Sequence, residues 1–249
     1  MNEFIKTWRD YKGEDLILGV NYQNGERVLD TERYEGLPYE VATKGYAIVL
    51  GNGPSRTKLT VEEYYLNNGG IRNKYKAETY GCNAIYRDGD IDHLIVTNKA
   101  LLDKAIKARV YNRMGLYTTY PNWLRTEAKK LRVIPQKYLA DAGTLAMYMA
   151  CFHGNHTVYL VGFDHIEGPK SNVYEDTEFY QTQHSDTECQ KWIKAQMLLM
   201  QKYPEVSFTR VVNNPYINRR HPWQQLPNYR EIDFRSFIQL ADIGKISRD

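Results

Sequence analysis

The sequence predicts an α/β fold in which a mostly parallel sheet is covered by helices on both faces. Short, nearly continuous apolar runs bounded by turn residues recur along the chain, as strands buried on both faces require. Segments with helix start and stop signals stand between them. A chain of 249 residues fits one such domain and can bury a sizeable core.

Residues 1 to about 40 are polar and aromatic and read as an N-terminal extension, with a short strand over 15–20 and a turn at Asn24-Gly25. The α/β domain takes residues 41–249. Its first strand, Gly45-Tyr-Ala-Ile-Val-Leu50, runs into Gly51-Asn-Gly-Pro-Ser55, as a buried parallel strand enters a functional loop. Thr60-Val-Glu-Glu63 is a capping box opening a helix through about Asn67. Strands follow over 78–83 and 92–97, and the second leads into a helix over 98–108. Residues 141–153 are helical, Gly154 sits where a C-terminal cap belongs, and 157–163 form a buried strand. Ser185-Asp-Thr-Glu188 is a second capping box, opening a helix with Trp192, Ala195, Leu199 and Tyr203 on one face. A last strand spans 206–212. The polar stretch 167–183 is long for a simple connection and is expected to be a lid. This βα order gathers ligand groups at the carboxyl ends of the strands.

Composition narrows the function classes. A net charge of +3 gives a weak preference for anionic partners and excludes the strongly basic stripe of a dedicated DNA-binding module. No stretch approaches the roughly 20 apolar residues that span a bilayer, and the N-terminus lacks the pattern of a secretory signal. A soluble, cytoplasmic protein is expected, with no transmembrane segment; monomer and oligomer both fit. Cys82, Cys151 and Cys189 form no Cys-x-x-Cys pair, so they are expected reduced and packed, without a disulfide framework or a structural zinc site. The 21 tyrosines supply faces and hydroxyls suited to sugars, bases and phosphate oxygens.

Candidate chemistry clusters at predicted strand ends. Gly51-Asn-Gly-Pro-Ser55 combines small residues, backbone N–H groups, the Asn52 amide and the Ser55 hydroxyl, a combination that suits phosphate. It is neither a Walker loop nor a full Gly-x-Gly-x-x-Gly fingerprint, and a structural turn is the competing reading. Asn83 and Asn98 each end a strand, where an amide can meet a base or sugar or can cap a turn. Asp164 follows Gly162 and can bind ribose hydroxyls, or simply hold a turn. His184 precedes the Ser185 cap, where the helix N-terminus favours a neutral imidazole, the form a general base needs. Asp88-Gly-Asp-Ile-Asp92 precedes a strand and reads as a solvated turn rather than a metal loop. His153 and His156 flank a helix end and read as caps, and Arg219-Arg-His-Pro-Trp223 reads as a solvated basic turn.

Taken in order, these residues resemble the bacterial sialyltransferases of glycosyltransferase family forty-two. The resemblance runs from about Ala47 to Tyr216. It rests on Gly51-Asn-Gly-Pro-Ser55, Cys82-Asn83, Asn98, Gly143 in a small-residue helix start, Tyr159-Leu-Val-Gly-Phe-Asp164, His184-Ser185 and Asn213-Asn-Pro215. It implies a Rossmann-like sheet with a lid, a variant of the GT-A arrangement. It also implies metal-independent, inverting transfer from a cytidine-monophosphate sugar, with no cofactor beyond that co-substrate. By position, Gly51, Asn52, Gly53, Ser55, Asn83, Asn98, Gly143 and Thr144 would lie along the donor, and Gly162 and Asp164 at the nucleoside. Tyr174 would meet the departing phosphate, and His184 would take the acceptor proton. The family's first phosphate-binding tyrosine falls here at Ile166, beside His165, and its carboxylate-holding serine is Ala142. These departures leave open both sialic acid and a sugar without a carboxylate, such as a pentose or hexose, as the donor sugar, transferred to a glycan or to a modified DNA base. The Gly-x-Gly-Pro-Ser start also occurs in pterin pyrophosphokinases, which gives a second enzyme reading; a non-catalytic nucleotide-binding protein is the third.

Overall fold

The computed structural model describes residues 3–7, 16–23, 26–30, 45–58, 77–120, 130–134, 140–165, 172–180, 185–213 and 221–242. The expected helix after Thr60 lies outside them.

The N-terminal extension holds more regular structure than the sequence suggests. Strands β1 (Glu3–Thr7), β2 (Leu16–Gln23) and β3 (Glu26–Asp30) form a three-stranded antiparallel sheet. The β2–β3 register sets Gln23 opposite Glu26. Outer strands such as β1 and β3 carry no continuous apolar run, so periodicity alone does not find them.

The α/β domain is an eight-stranded sheet made of β4 (Tyr46–Leu50), β5 (Glu78–Cys82), β6 (His93–Val96), β7 (Gly115–Thr118), β8 (Arg132–Val133), β9 (Thr157–Val161), β10 (Ser207–Val212) and β11 (Tyr229–Asp233). The order is β11-β10-β9-β4-β5-β6-β7-β8, and every pairing is parallel. The expected parallel, Rossmann-like α/β class is what the chain adopts. Four α-helices accompany the sheet among the described residues: α1 (Lys99–Lys107), α2 (Ala142–Phe152), α3 (Asp186–Lys202) and α4 (Phe234–Asp242).

Alternation along β4 shows how both faces are covered. Ile48 and Leu50 join a core with Leu101, Leu102 and Ile106 of α1 and Phe234 and Phe237 of α4. Ala47 and Val49 join a second core with Leu145 and Met149 of α2 and Ile193 and Met200 of α3. Successive strand residues point to opposite faces, so a continuous apolar run feeds two cores.

Helix ends follow the expected chemistry. Asn98 Oδ1 accepts the N–H groups of Ala100 and Leu101 at 3.0 Å, and Asp141 Oδ1 accepts that of Thr144 at 2.9 Å. Ser185 and Glu188 form the reciprocal capping box. The buried face of α3 departs from expectation, consisting of Cys189, Ile193, Gln196, Leu199 and Met200. Trp192 and Ala195 are only partly covered, because α3 also borders a cleft. Strands β7, β8 and β11 and helix α4 were not expected from the sequence. The first two are too short to show a period, and β11, at the sheet edge, is polar. Among the described residues no helix is long and apolar enough to cross a membrane.

Candidate functional site

The chain leaves β4 toward β5 on one side, and β9 later takes the other side of β4. Such a reversal is the switch point at which ligands bind in open α/β sheets. The loops after β4 and β9 meet there, backbone to backbone. Gly51 N–H donates to the Val161 carbonyl and Gly53 N–H to the Gly162 carbonyl, both at 2.8 Å. Ser55 N–H donates to Asp164 Oδ2 at 2.8 Å, and Gly162 N–H donates to Ser55 Oγ at 3.2 Å.

These contacts explain the glycines. A Cβ on Gly53 would stand 2.3 Å from Asp164 Oδ2, and one on Gly162, whose φ is +77°, would stand 2.6 Å from the Gly51 carbonyl. They also correct the phosphate-cradle reading. The N–H groups of residues 51, 53 and 55 already serve β9 and the loop after it, so they are not offered to a ligand. The loop presents the Asn52 side chain instead. Its Oδ1 is buried without a partner.

The cleft encloses about 170 Å³. Of the residues singled out in sequence, Gly51, Asn52, Gly53, Asn83, Gly143, Gly162 and Asp164 line it. Its other walls include Cys82, Phe163, Ala142 and His165, which the resemblance names without a binding role, and Asp141, Asn172, Tyr180, Trp192 and Gln196, which sequence reasoning missed as site residues. The N-terminus of α2, at Ala142 and Gly143, directs the positive end of an eleven-residue helix into this space.

Four expected residues stand outside the lining. Ser55 is buried beneath the loop, Asn98 caps α1, and Thr144 hydrogen-bonds Asp141 through its N–H and hydroxyl. Tyr174 is 6% exposed; its hydroxyl donates to Asp88, and the Arg56 guanidinium lies 5.2 Å from its ring centre. Tyr180 is the phenol that faces the cleft. His184 and Ile166 lie outside the described residues. The described part of the expected lid, 172–180, rests on the loop after β4, with Val173 N–H donating to the Asn52 carbonyl at 2.8 Å.

Other expectations change with the packing. The Asp88–Asp92 turn is tied down rather than solvated: Asp88 pairs with buried Arg56 at 3.0 Å, Asp90 with Arg113, and Asp92 accepts both the N–H and the hydroxyl of Thr79. Trp223 is fully buried, its indole N–H donating to the Ile193 carbonyl at 3.0 Å, so it is a core anchor and not part of a solvated turn. The three cysteines are buried, as expected, and none is in a disulfide.

Burial sets the electrostatics. It pushes the Cys82 thiol up to about 12, so the thiol is protonated and no nucleophile. It raises the Asp141 carboxyl against the opposing hydrogen bonds of Thr144. Burial, helped by Arg210 and His221, pulls His165 down to about 3. His165 is therefore neutral, with Nε2 on Gln196 Oε1 at 2.6 Å and Nδ1 buried without a partner. Tyr180 Oη accepts the Ala84 N–H at 3.3 Å, which leaves its own hydrogen available to a ligand. The cleft thus offers a carboxylate at Asp164 for hydroxyls, amides and aromatic faces for a base, and a helix N-terminus and a phenol for phosphate.

No family model matches the chain, and no curated protein matches it. Among solved structures it is similar to the monofunctional alpha-2,3-sialyltransferase Cst-I from Campylobacter jejuni, at 16% identity and a TM-score of 0.47, over 71% of this chain and 79% of that one. It is also similar to the sialyltransferase CstII of the same organism in complex with cytidine-5'-monophosphate, at 13% identity and a TM-score of 0.40, over 67% and 79%. With CMP-3FNeuAc in CstII the figures are 14%, 0.43, 68% and 81%.

Proposed function

We propose that this protein is an inverting glycosyltransferase that moves a sugar from a CMP-type donor to a hydroxyl acceptor without using a metal at the reacting centre. The observation that carries the reading is the cleft at the β4/β9 switch point. It joins Asn52, Asn83, Gly143 and Asp164, residues far apart in sequence that the family resemblance had assigned to the donor. In this reading Asp164 holds the ribose, and the α2 N-terminus and the Tyr180 hydroxyl meet the phosphate. His184 removes the acceptor proton, the acceptor oxygen attacks the anomeric carbon, and the bond from that carbon to phosphate breaks as CMP departs. Ala142 at the cleft wall supports a donor sugar without a carboxylate. The acceptor is a glycan or a modified DNA base; retention on DNA that weakens steeply with salt favours the latter.

The test is a thermal-shift screen of nucleotides followed by a donor-consumption assay. CMP as the ligand that stabilises most, and loss of turnover in His184→Ala, are the expected results. A preference for ATP with magnesium-dependent turnover would point instead to pyrophosphate transfer and overturn the proposal. CMP binding without consumption of any donor would leave only a nucleotide-binding protein.

A further inference from the structure

At the opposite end of the sheet lies a second polar group that the proposed transfer does not use. Glu78 opens β5, His93 opens β6, and His153 follows the last turn of α2. They are 9%, 2% and 2% exposed. One ligand atom from each lies within 4.8 Å of the others, and Glu78 Oε2 stands 3.9 Å from His93 Nε2. We propose that Glu78, His93 and His153 form a binding site for one divalent transition-metal ion of the zinc type, with a structural role.

The donor set suits that ion. Two imidazoles and a carboxylate are borderline ligands that favour zinc over calcium or magnesium. Bonds of about 2.0–2.2 Å place tetrahedral ligand atoms roughly 3.4 Å apart. The Glu78–His93 spacing is close to this, and the widest spacing requires a contraction of about 1.4 Å, within reach of side-chain rotation. The surroundings already have the form of an outer ligand shell. Tyr80 donates to Glu78 Oε2 at 2.7 Å, and Asn155 Nδ2 does so at 3.2 Å. Tyr80 gives its hydrogen to Glu78, so His153 Nδ1–H donates to the Tyr80 oxygen at 2.8 Å, and Nε2, now 3.3 Å from the Tyr117 hydroxyl, is the nitrogen that would bind the ion in place of that contact. Fixing the far nitrogen in this way orients ligating histidines. Two further features favour a cation: the buried Glu78 carboxylate, and the carbonyl end of α2, which carries negative partial charge. Eleven helical residues separate this end of α2 from the cleft, roughly 16 Å, so the ion would brace β5, β6 and α2 without entering the reaction.

The test uses the full chain, stripped with a chelator and then given zinc or cobalt. About one equivalent of zinc should survive gel filtration, and the cobalt form should show the visible absorption of a four-coordinate N/O site in which a water completes the three protein ligands. Zinc at a hundredfold excess over its Kd should raise the thermal midpoint by about 5–10 °C. Glu78→Gln and His93→Asn, each checked for folding by circular dichroism, should drop to below about a tenth of an equivalent, whereas Asp164→Asn in the cleft should keep the ion. Folded wild-type protein that retains no zinc overturns the proposal and leaves a hydrogen-bonded polar core. Zinc retained in full by folded Glu78→Gln and His93→Asn overturns it by placing the ion elsewhere.

Discussion

Removing the Tyr174 hydroxyl separates two roles that this residue could have. The resemblance sets Tyr174 at the leaving phosphate, whereas the structure has its hydroxyl donate to Asp88 and its ring lie against Arg56. Arg56 is 4% exposed and Asp88, its ion-pair partner at 3.0 Å, is 24% exposed. A hydrogen bond to a charged group contributes about 1.5–3 kcal/mol. Water reaches Asp88, so the lower end applies, and Tyr174→Phe should lose about 1.5 kcal/mol, or about 3–6 °C in thermal midpoint for a chain of this size. Asp88→Ala leaves the buried guanidinium unpaired and should lose about 3 kcal/mol or more. Because all three groups act as one unit, the double variant should be less destabilised than the sum of the singles. Urea denaturation of the four proteins gives the stabilities, and donor consumption with saturating acceptor gives kcat and KM. Tyr174→Phe is expected to keep kcat within about threefold once folded, and Tyr180→Phe to lower it by at least tenfold. A Tyr174→Phe protein as stable as the wild type but at least tenfold slower would refute this reading and return the phosphate role to Tyr174.

Further expectations concern the same cleft. Gly53→Ala forces a methyl against Asp164 and the Gly162 carbonyl, so it should cost about 1–3 kcal/mol in urea unfolding and weaken CMP binding by calorimetry; unchanged values would show that the two loops are not tightly apposed. His165 and His221 are both held near 3 by burial and by Arg210, with His221 also acting on His165. Tyr229 and Glu231 complete the charged surroundings through Arg210. Each histidine takes up its proton only on unfolding, so stability is full above the unfolded value near 6.5 and falls toward acid at about 1.4 kcal/mol per pH unit per histidine down to about pH 3. Denaturation midpoints measured from pH 7 to 4 should show this slope, and His165→Gln should reduce it by close to one proton. Cys82, held near 12, should react with a thiol reagent at pH 8 on the order of 10³-fold more slowly than an unperturbed cysteine, and rapid labelling of the native protein would contradict its burial.

Much of the framework was legible in the chain. Runs such as Ala47–Leu50 and Val158–Val161, bounded by turn residues, read as strands covered on both faces, and the Ser185/Glu188 box fixed the start of α3 before any packing was known. What escaped was either short or polar. β8 has two residues, and β11, at the sheet edge, reads Tyr-Arg-Glu-Ile-Asp with none of its residues fully buried. Local signals could not rotate α3 either, since its buried stripe depends on where Trp223 and the cleft lie against it.

The candidate site divides along the same line. Residue types and their order placed Asn52, Asn83 and Asp164 at strand ends, which converge on one edge in a βα chain, and the family resemblance added Gly143 to them. Only the tertiary structure decided which groups are free to act. It tied the N–H groups of the Gly51–Ser55 loop to the facing strand and loop, turned Tyr174 inward onto Asp88, and brought Tyr180 to the cleft. It also assembled Glu78, His93 and His153. Hydrogen-bond partners from elements far apart in sequence leave no local pattern, so a turn that reads as a phosphate cradle can prove to be the seam that holds two loops together.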